Sequence, residues 1–242
     1  MPAKTVLPKS RPRLRPATVK LDPPGYGEGR ALILAGETRV LCQATIENGR
    51  PRWMNQQNKS GGWVTAEYSL LPRSTSIRTR RERGQVSGRT QEIQRLIGRS
   101  LRAVMDLEAI DNLTITVDCD VLQADGGTRC AAITGGFVAL YQAVKKLARE
   151  GRIPRFPILD QVAAVSVGIV EGELCLDLDY EKDAAAEVDM NVVMTGDGRL
   201  IEVQGTAERK PFTRRQLNQL LELAQAGIAE LFAVQKKALK IK

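Results

Sequence analysis

Between Leu113 and Val121 apolar and polar residues alternate strictly, Leu113, Ile115, Val117, Cys119 and Val121 being separated by Thr114, Thr116, Asp118 and Asp120. A period of two belongs to a strand with one face on a core. The strand runs into Gln123-Ala124-Asp125-Gly126-Gly127-Thr128-Arg129, after which Ile133, Phe137, Leu140, Tyr141, Val144 and Leu147 recur at helical spacing to about Arg149. Gly151 and Pro154 then stop the helix. Strand, glycine turn, helix is therefore predicted. Upstream, Ile93, Leu96, Ile97, Leu101 and Val104 predict a helix from Thr90 to about Leu107, with Arg95, Arg99 and Arg102 sharing another face.

Shorter signals fill in the rest. Ala31 to Leu34 and Thr38 to Ile46 flank Ala35-Gly36-Glu37 as a hairpin, and Trp63 to Leu70 reads as a strand. Between Asn48 and Gly62 lies a polar segment with Pro51 and a Gly61-Gly62 pair, expected to be a loop. Gln161 to Val170 with Glu173 to Tyr180, and Val188 to Thr195 with Arg199 to Gln204, predict two more hairpins and so a meander of four strands. Thr213 and Gln216 form a capping box for a last helix carrying Leu217, Leu220, Leu221, Ala224, Ile228 and Leu231. Residues 1–24 read as a basic, proline-punctuated arm that gains order from its neighbours, and residues 25–242 as a single α+β domain.

Composition narrows the chemistry. The chain has 36 basic and 28 acidic residues, and from Arg73 to Arg102 nine arginines face only Glu82 and Glu92, so most of the net +8 sits in one stretch. Such a concentration points to a polyanionic partner. There is no histidine, which excludes Ser-His and Cys-His catalysis and imidazole-held metals. Any reaction must rest on carboxylates, arginines, backbone amides and a metal ion. Cys42, Cys119, Cys130 and Cys175 are scattered without a Cys-x-x-Cys pair and read as reduced, mostly buried thiols. No segment approaches the roughly 18 apolar residues of a membrane span and the start lacks a signal-peptide core, so a cytoplasmic protein is expected.

Three constellations could carry chemistry. At Gly127-Thr128-Arg129 free amides, a hydroxyl and a guanidinium could converge on a phosphate; the alternative is a tight turn whose arginine faces solvent. No Lys-Ser/Thr follows the glycines, so a nucleoside triphosphate loop is not implied. Asp177, Asp179, Glu181, Asp183, Glu187 and Asp189 crowd together with only Lys182 among them. A divalent ion would relieve their repulsion, and a solvated strand end is the other reading. Asp118 and Asp120 form a weaker acidic candidate on a polar strand face. Arg73, Arg78, Arg80, Arg81 and Arg83 lie in a loop offset only by Glu82; arginine forks suit phosphodiesters and stack on unpaired bases, whereas a solubilising loop usually mixes signs.

Longer blocks point to a family. Ser87 to Arg102 and Asp118 to Gly135 strongly resemble the bacterial ribonuclease PH family. So do Gly62-Trp63-Val64-Thr65-Ala66-Glu67-Tyr68, Leu71-Pro72-Arg73-Ser74-Thr75, Val188 to Met194 and Glu202 to Glu208, and the match is collinear from about Gly25 onward. The resemblance implies a ribosomal protein S5 domain 2-like fold, a homohexamer built as a trimer of dimers, and phosphate-dependent trimming of transfer-RNA precursors from the 3′ end. It also implies that Arg89, Gly127, Thr128 and Arg129 bind inorganic phosphate as co-substrate. Asp183 and Asp189 would be catalytic and hold Mg²⁺ or Mn²⁺, and the arginine loop would grip RNA. The family's N-terminal Arg-Pro-Asp-Gly-Arg signature is replaced by Arg11-Pro12-Arg13-Leu14-Arg15-Pro16, and Cys130 and Ala132 stand where hydroxyl residues are common.

Phosphorolysis fits a chain without histidine, because it needs an anion positioned against a phosphodiester and a stabilised departing oxygen, not a covalent intermediate. Two rivals remain in view. A catalytically silent RNA-binding ring subunit would have no need to keep Arg89, Arg129, Asp183 and Asp189 together. A hydrolytic nuclease would have no use for a phosphate cradle.

Overall fold

The computed structural model describes residues 12–241; the part of the expected arm before Pro12 lies outside the described residues. The first sheet contains β1 (Ala17–Leu21), β2 (Gly29–Ala35), β3 (Thr38–Asn48), β4 (Trp63–Leu70) and β5 (Leu113–Gln123), in the order β1-β2-β3-β5-β4. Every pairing is antiparallel except β4 with β5. That parallel pair needs a long crossover, and the connection contains a helix as such pairs require. The second sheet is an antiparallel meander of β6 (Val162–Val170), β7 (Glu173–Leu176), β8 (Val188–Thr195) and β9 (Leu200–Ala207), in the order β7-β6-β8-β9. The helices are α1 (Arg52–Gln56), α2 (Gly88–Arg102), α3 (Thr128–Arg149), α4 (Tyr180–Ala185) and α5 (Arg214–Leu239).

Helix α3 lies between the sheets, touching β2, β3 and β5 on one side and β6 and α5 on the other. Fourteen of its 22 residues are buried, which a one-sided surface helix would not show. Small side chains permit the close approach: a Cβ at Gly135 would sit 2.7 Å from Cγ2 of Ile33 and 3.0 Å from Sγ of Cys42. The alternating apolar side of β5 contributes Ile115, Val117, Cys119 and Val121 to this core. A smaller cluster fills the space between the second sheet and α5, around Val165, Val167, Met190, Val192, Leu220 and Ile228. Fully buried Gln235 on α5 ties the layers together, donating from Nε2 to the carbonyls of Thr134 at 3.0 Å and Val162 at 2.8 Å.

Most of the predicted elements are present, with four differences of physical origin. The segment expected as a loop contains α1, a short helix started at Pro51 and anchored by buried Met54. Helix α2 starts at Gly88, because the Ser87 hydroxyl accepts the Thr90 amide at 3.3 Å and caps it early. It ends at Arg102, and the buried Val104 and Met105 belong to the turn that follows. The strand expected to reach Tyr180 stops at Leu176, since Asp177 adopts a left-handed backbone (φ 57°) and Asp179 caps α4. Residues Ala17–Leu21 of the expected arm form an edge strand on β2. Among the described residues no helix is long and apolar enough to cross a membrane.

Candidate active site

The turn after β5 is held from beneath. Gly126 and Gly127 both have left-handed backbones (φ 70° and 64°), a region that glycine enters without a steric penalty. A Cβ on Gly126 would collide with the backbone of Leu178 and Asp179, lying 2.7 Å from the carbonyl carbon of Asp179. Fully buried Thr38 fixes the approach: its Oγ1 accepts the Asp125 amide at 2.9 Å and donates to the Gly126 carbonyl at 2.7 Å. Gly127 caps α3, and the first amide of the helix to find an acceptor is that of Ala131, at 2.9 Å from the Gly127 carbonyl. The amides of Thr128, Arg129 and Cys130 precede the intrahelical ladder and form the positive end of the helix dipole.

Beside this end opens a polar cleft of about 590 Å³, bordered by Arg89 of α2, Arg129 of α3, Asp183 of α4, Asp189 and Asn191 of β8, and Gln204 of β9. Four residues singled out in the sequence, Arg89, Arg129, Asp183 and Asp189, thus meet in one cavity although they are scattered over three helices and a strand. Of the six clustered acids only Asp183 and Asp189 border it. Asp177 pairs with Arg15, Asp179 caps α4 and pairs with Lys182 at 2.8 Å, and Glu187 accepts the Gly172 amide at 3.1 Å.

Arg129 is aimed by partners that the sequence did not single out. Arg129 Nη1 donates to Oε1 of Gln204 at 2.6 Å and lies 3.6 Å from Oε1 of Glu92. Gln204 Nε2 in turn donates to Oε1 of Glu92 at 2.7 Å. Glu92 stands one helical turn beyond Arg89, so the same face of α2 supplies both. Thr128 Oγ1 lies 2.8 Å from the hydroxyl of Tyr68, whose buried ring sits under the helix end. Burial raises the Tyr68 phenol above its ordinary range, against the hydrogen bond to Thr128 and the nearby charges of Arg89 and Arg129, so it stays neutral. The Sγ–H of buried Cys130 reaches Oδ1 of Asn191 at 3.2 Å, a contact that a hydroxyl would make in its place.

The cleft shifts the ionisation of Asp189. Burial, and then the neighbouring Asp183 carboxylate, push it up to about 6 while Arg129 pulls the other way. Two carboxylates of which one resists ionisation suit a divalent ion, and Mg²⁺ takes one or two protein carboxylates with waters and phosphate oxygens. Gly127 and Thr128 stand beside the cleft and do not border it. Arg73, Arg78, Arg80, Arg81 and Arg83 sit on the loop between β4 and α2, at the surface, and are also away from its lining. Asp118 and Asp120 lie on the polar side of β5, where burial first and then acidic neighbours raise Asp118, and they do not reach the cleft.

Opposed arginines and carboxylates beside a helix N-terminus suit the task of driving an inorganic anion against a phosphodiester, which is the work of phosphorolytic nucleotidyltransferases. The chain belongs to the 3′ exoribonuclease family: residues 13–146 match domain 1 of that family and residues 160–227 match domain 2. It is 59% identical to Ribonuclease PH of Moorella thermoacetica over 228 residues, covering 93% of this chain and 90% of that protein. Ribonuclease PH of Syntrophomonas wolfei is 56% identical over 238 residues, covering 97% and 99%. The activity is accordingly phosphate-dependent 3′→5′ exoribonucleolysis. Among solved structures, rice (Oryza sativa) Rrp46 shares the α+β fold with a TM-score of 0.76 at 18% identity, covering 96% of this chain and 98% of that one. An Archaeoglobus fulgidus exosome with RNA bound to the active site has a TM-score of 0.73 at 18% identity, covering 95% and 89%.

Proposed function

We propose that Arg89, Arg129 and the amides and hydroxyl at Gly127-Thr128 hold the attacking phosphate, while Asp183 and Asp189 serve the departing 3′ oxygen. The observation that carries this assignment is the meeting of both arginines and both carboxylates in one cleft beside the free end of α3. A phosphate oxygen attacks the last phosphorus of the RNA, the bond from that phosphorus to the 3′ oxygen breaks, and a nucleoside diphosphate leaves. Two anions must come together, so the arginines and the helix end supply positive potential before any bond changes. Gln204 and Glu92 fix the direction of the Arg129 fork, and Tyr68 fixes the Thr128 hydroxyl.

The 3′ oxygen that leaves must gain a proton or a positive neighbour. Asp189, whose carboxyl holds a proton up to about pH 6, is suited to deliver one from its Oδ atoms. Alternatively to that proton transfer, Asp183 and Asp189 in their ionised forms would hold Mg²⁺ or Mn²⁺, which would supply charge neutralisation at the oxygens of the reacting phosphates. The surface arginines from Arg73 to Arg83 grip RNA upstream of the scissile end through its phosphates.

Transfer-RNA precursors are the proposed substrates, the cytoplasm the proposed compartment, and a homohexameric trimer of dimers the proposed assembly, all on the family resemblance. Residues 25–242 act as one catalytic domain in this reading, supported by the burial of α3 against both sheets, with residues 1–24 as an appended arm. A transfer-RNA precursor with a 3′ extension, incubated with phosphate and Mg²⁺, should be trimmed by the unaltered protein and left intact by Asp183→Asn, which should still bind it. Full turnover by Asp183→Asn would remove that residue from the mechanism. A solution mass below six chains would contradict the ring.

A further inference from the structure

Arg15, just ahead of β1, grips Asp177 at the far edge of the phosphate turn. Its Nε donates to Oδ2 of Asp177 at 3.0 Å, its Nη2 to Oδ1 at 2.7 Å, and its backbone N–H to Oδ2 at 3.0 Å. Nη1 donates to the backbone carbonyl of Asp125. Both side chains are almost covered, with 14% and 10% exposed. The guanidinium also backs the glycine turn, since a Cβ on Gly127 would come within 3.2 Å of Nη2. Asp177 holds its left-handed backbone with its amide donating to the Ser166 carbonyl at 2.7 Å, and Ser166 Oγ accepts the Leu178 amide at 2.9 Å.

One guanidinium therefore touches the turn that opens α3 on one side and the start of the segment leading to Asp183 on the other. We propose that Arg15 and Asp177 are positioning residues for phosphorolysis, a clamp fixing the anion-binding end of α3 against the segment that carries Asp183. Arg15 does not border the cleft, and Nε, Nη1 and Nη2 are all engaged by the protein, so it acts through the turn and not as a phosphate ligand. A fork is required for that role: two parallel hydrogen bonds set a direction, whereas a lysine ammonium supplies only a point charge. The clamp joins the first sheet to the second across positions 15, 125 and 177, so its loss lets the phosphate slide relative to Asp183. A displacement of about 1 Å in a reacting pair costs up to roughly a hundredfold.

The proposal rests on the assignment of the phosphate to this turn, and the test separates the two. Arg15→Lys, Asp177→Asn and, as reference, Arg89→Lys are compared with the unaltered protein for phosphate KM, kcat, RNA affinity and thermal midpoint. Arg15→Lys and Asp177→Asn should stay folded, bind RNA within about twofold, raise phosphate KM by about tenfold and lower kcat by up to roughly a hundredfold. A merely structural pair would lower the midpoint and the active fraction with phosphate KM unchanged, and that result overturns the clamp. If Arg89→Lys raises phosphate KM and the other two do not, the clamp fails while the phosphate site stands. If the unaltered protein shows no saturable dependence on phosphate, the assignment and the clamp fall together. Failure of both Arg15→Lys and Asp177→Asn to fold would also overturn the claim, since it makes the pair part of the core.

Discussion

Asp189→Asn is expected to raise stability while abolishing turnover, and the size of the gain follows from the site. Burial and the Asp183 charge lift the Asp189 carboxyl from its ordinary 3.8 to about 6. At about 1.4 kcal/mol per pH unit that rise would be worth roughly 3 kcal/mol for a fully enclosed group. Asp189 is half-buried, so solvent screening reduces the figure to about 1–2 kcal/mol. The folded value lies above the unfolded one, so the cost of the charge is present in full above about pH 6, shrinks as pH falls, and vanishes below about pH 4, where both states are protonated. Asparagine carries no charge at any pH. The variant should therefore melt several degrees higher than the unaltered protein at pH 8 in metal-free buffer, at about 2–4 °C per kcal/mol for a chain of this length. The difference should fade toward pH 4. Adding Mg²⁺ should stabilise the unaltered protein and leave the variant almost unmoved. Thermal unfolding by circular dichroism at both pH values measures this, and a less stable variant at pH 8, or a gain independent of pH, would show that the buried Asp189 charge does not cost stability.

Tyr68→Phe removes the partner of the Thr128 hydroxyl, a loss of about 1 kcal/mol, so phosphate KM should rise about fivefold with RNA affinity unchanged; steady-state kinetics with phosphate varied checks it. Replacing Arg78 and Arg80 by glutamine should weaken RNA binding and flatten its dependence on log salt by about 1.4, at roughly 0.7 for each single-strand phosphate that an arginine no longer neutralises. Binding titrations from low to moderate salt read the slope, and an unchanged slope would remove these two arginines from the RNA path.

The parts of the fold legible in the sequence were those where one face of a regular element meets a large core. The alternation in β5 and the helical spacing in α3 are consequences of the same packed interface, seen from its two sides. Helix α4 was illegible for the opposite reason: none of its six residues is buried, so no hydrophobic period announces it. The segment leading into it passes through the left-handed Asp177, whose carboxylate is held by Arg15, 162 positions earlier, and its cap is Asp179. No local window holds both ends of such a pair.

The same division runs through the site. Arg89, Arg129 and Asp189 lay in blocks resembling the family, Asp183 stood in the acidic cluster and was picked out by the same resemblance, and the fold brings the four together. Their supports did not stand out, because Gln204, Glu92 and Tyr68 are ordinary residues on a strand or a helix until the fold sets them beside an arginine or a hydroxyl. Glu92 had one available signal, its place one turn after Arg89. The six-acid cluster was legible as a charge pattern, yet only the structure sorts it into an arginine partner (Asp177), a helix cap (Asp179), a turn acceptor (Glu187), an exposed helix residue (Glu181) and two cleft residues (Asp183 and Asp189).

The identity of the product separates phosphorolysis from hydrolysis. With Mg²⁺, phosphate and an RNA bearing a free 3′ hydroxyl, the protein should release nucleoside diphosphates, and withdrawing phosphate should stop the release. Nucleoside monophosphates at an undiminished rate without phosphate would make the enzyme a hydrolase.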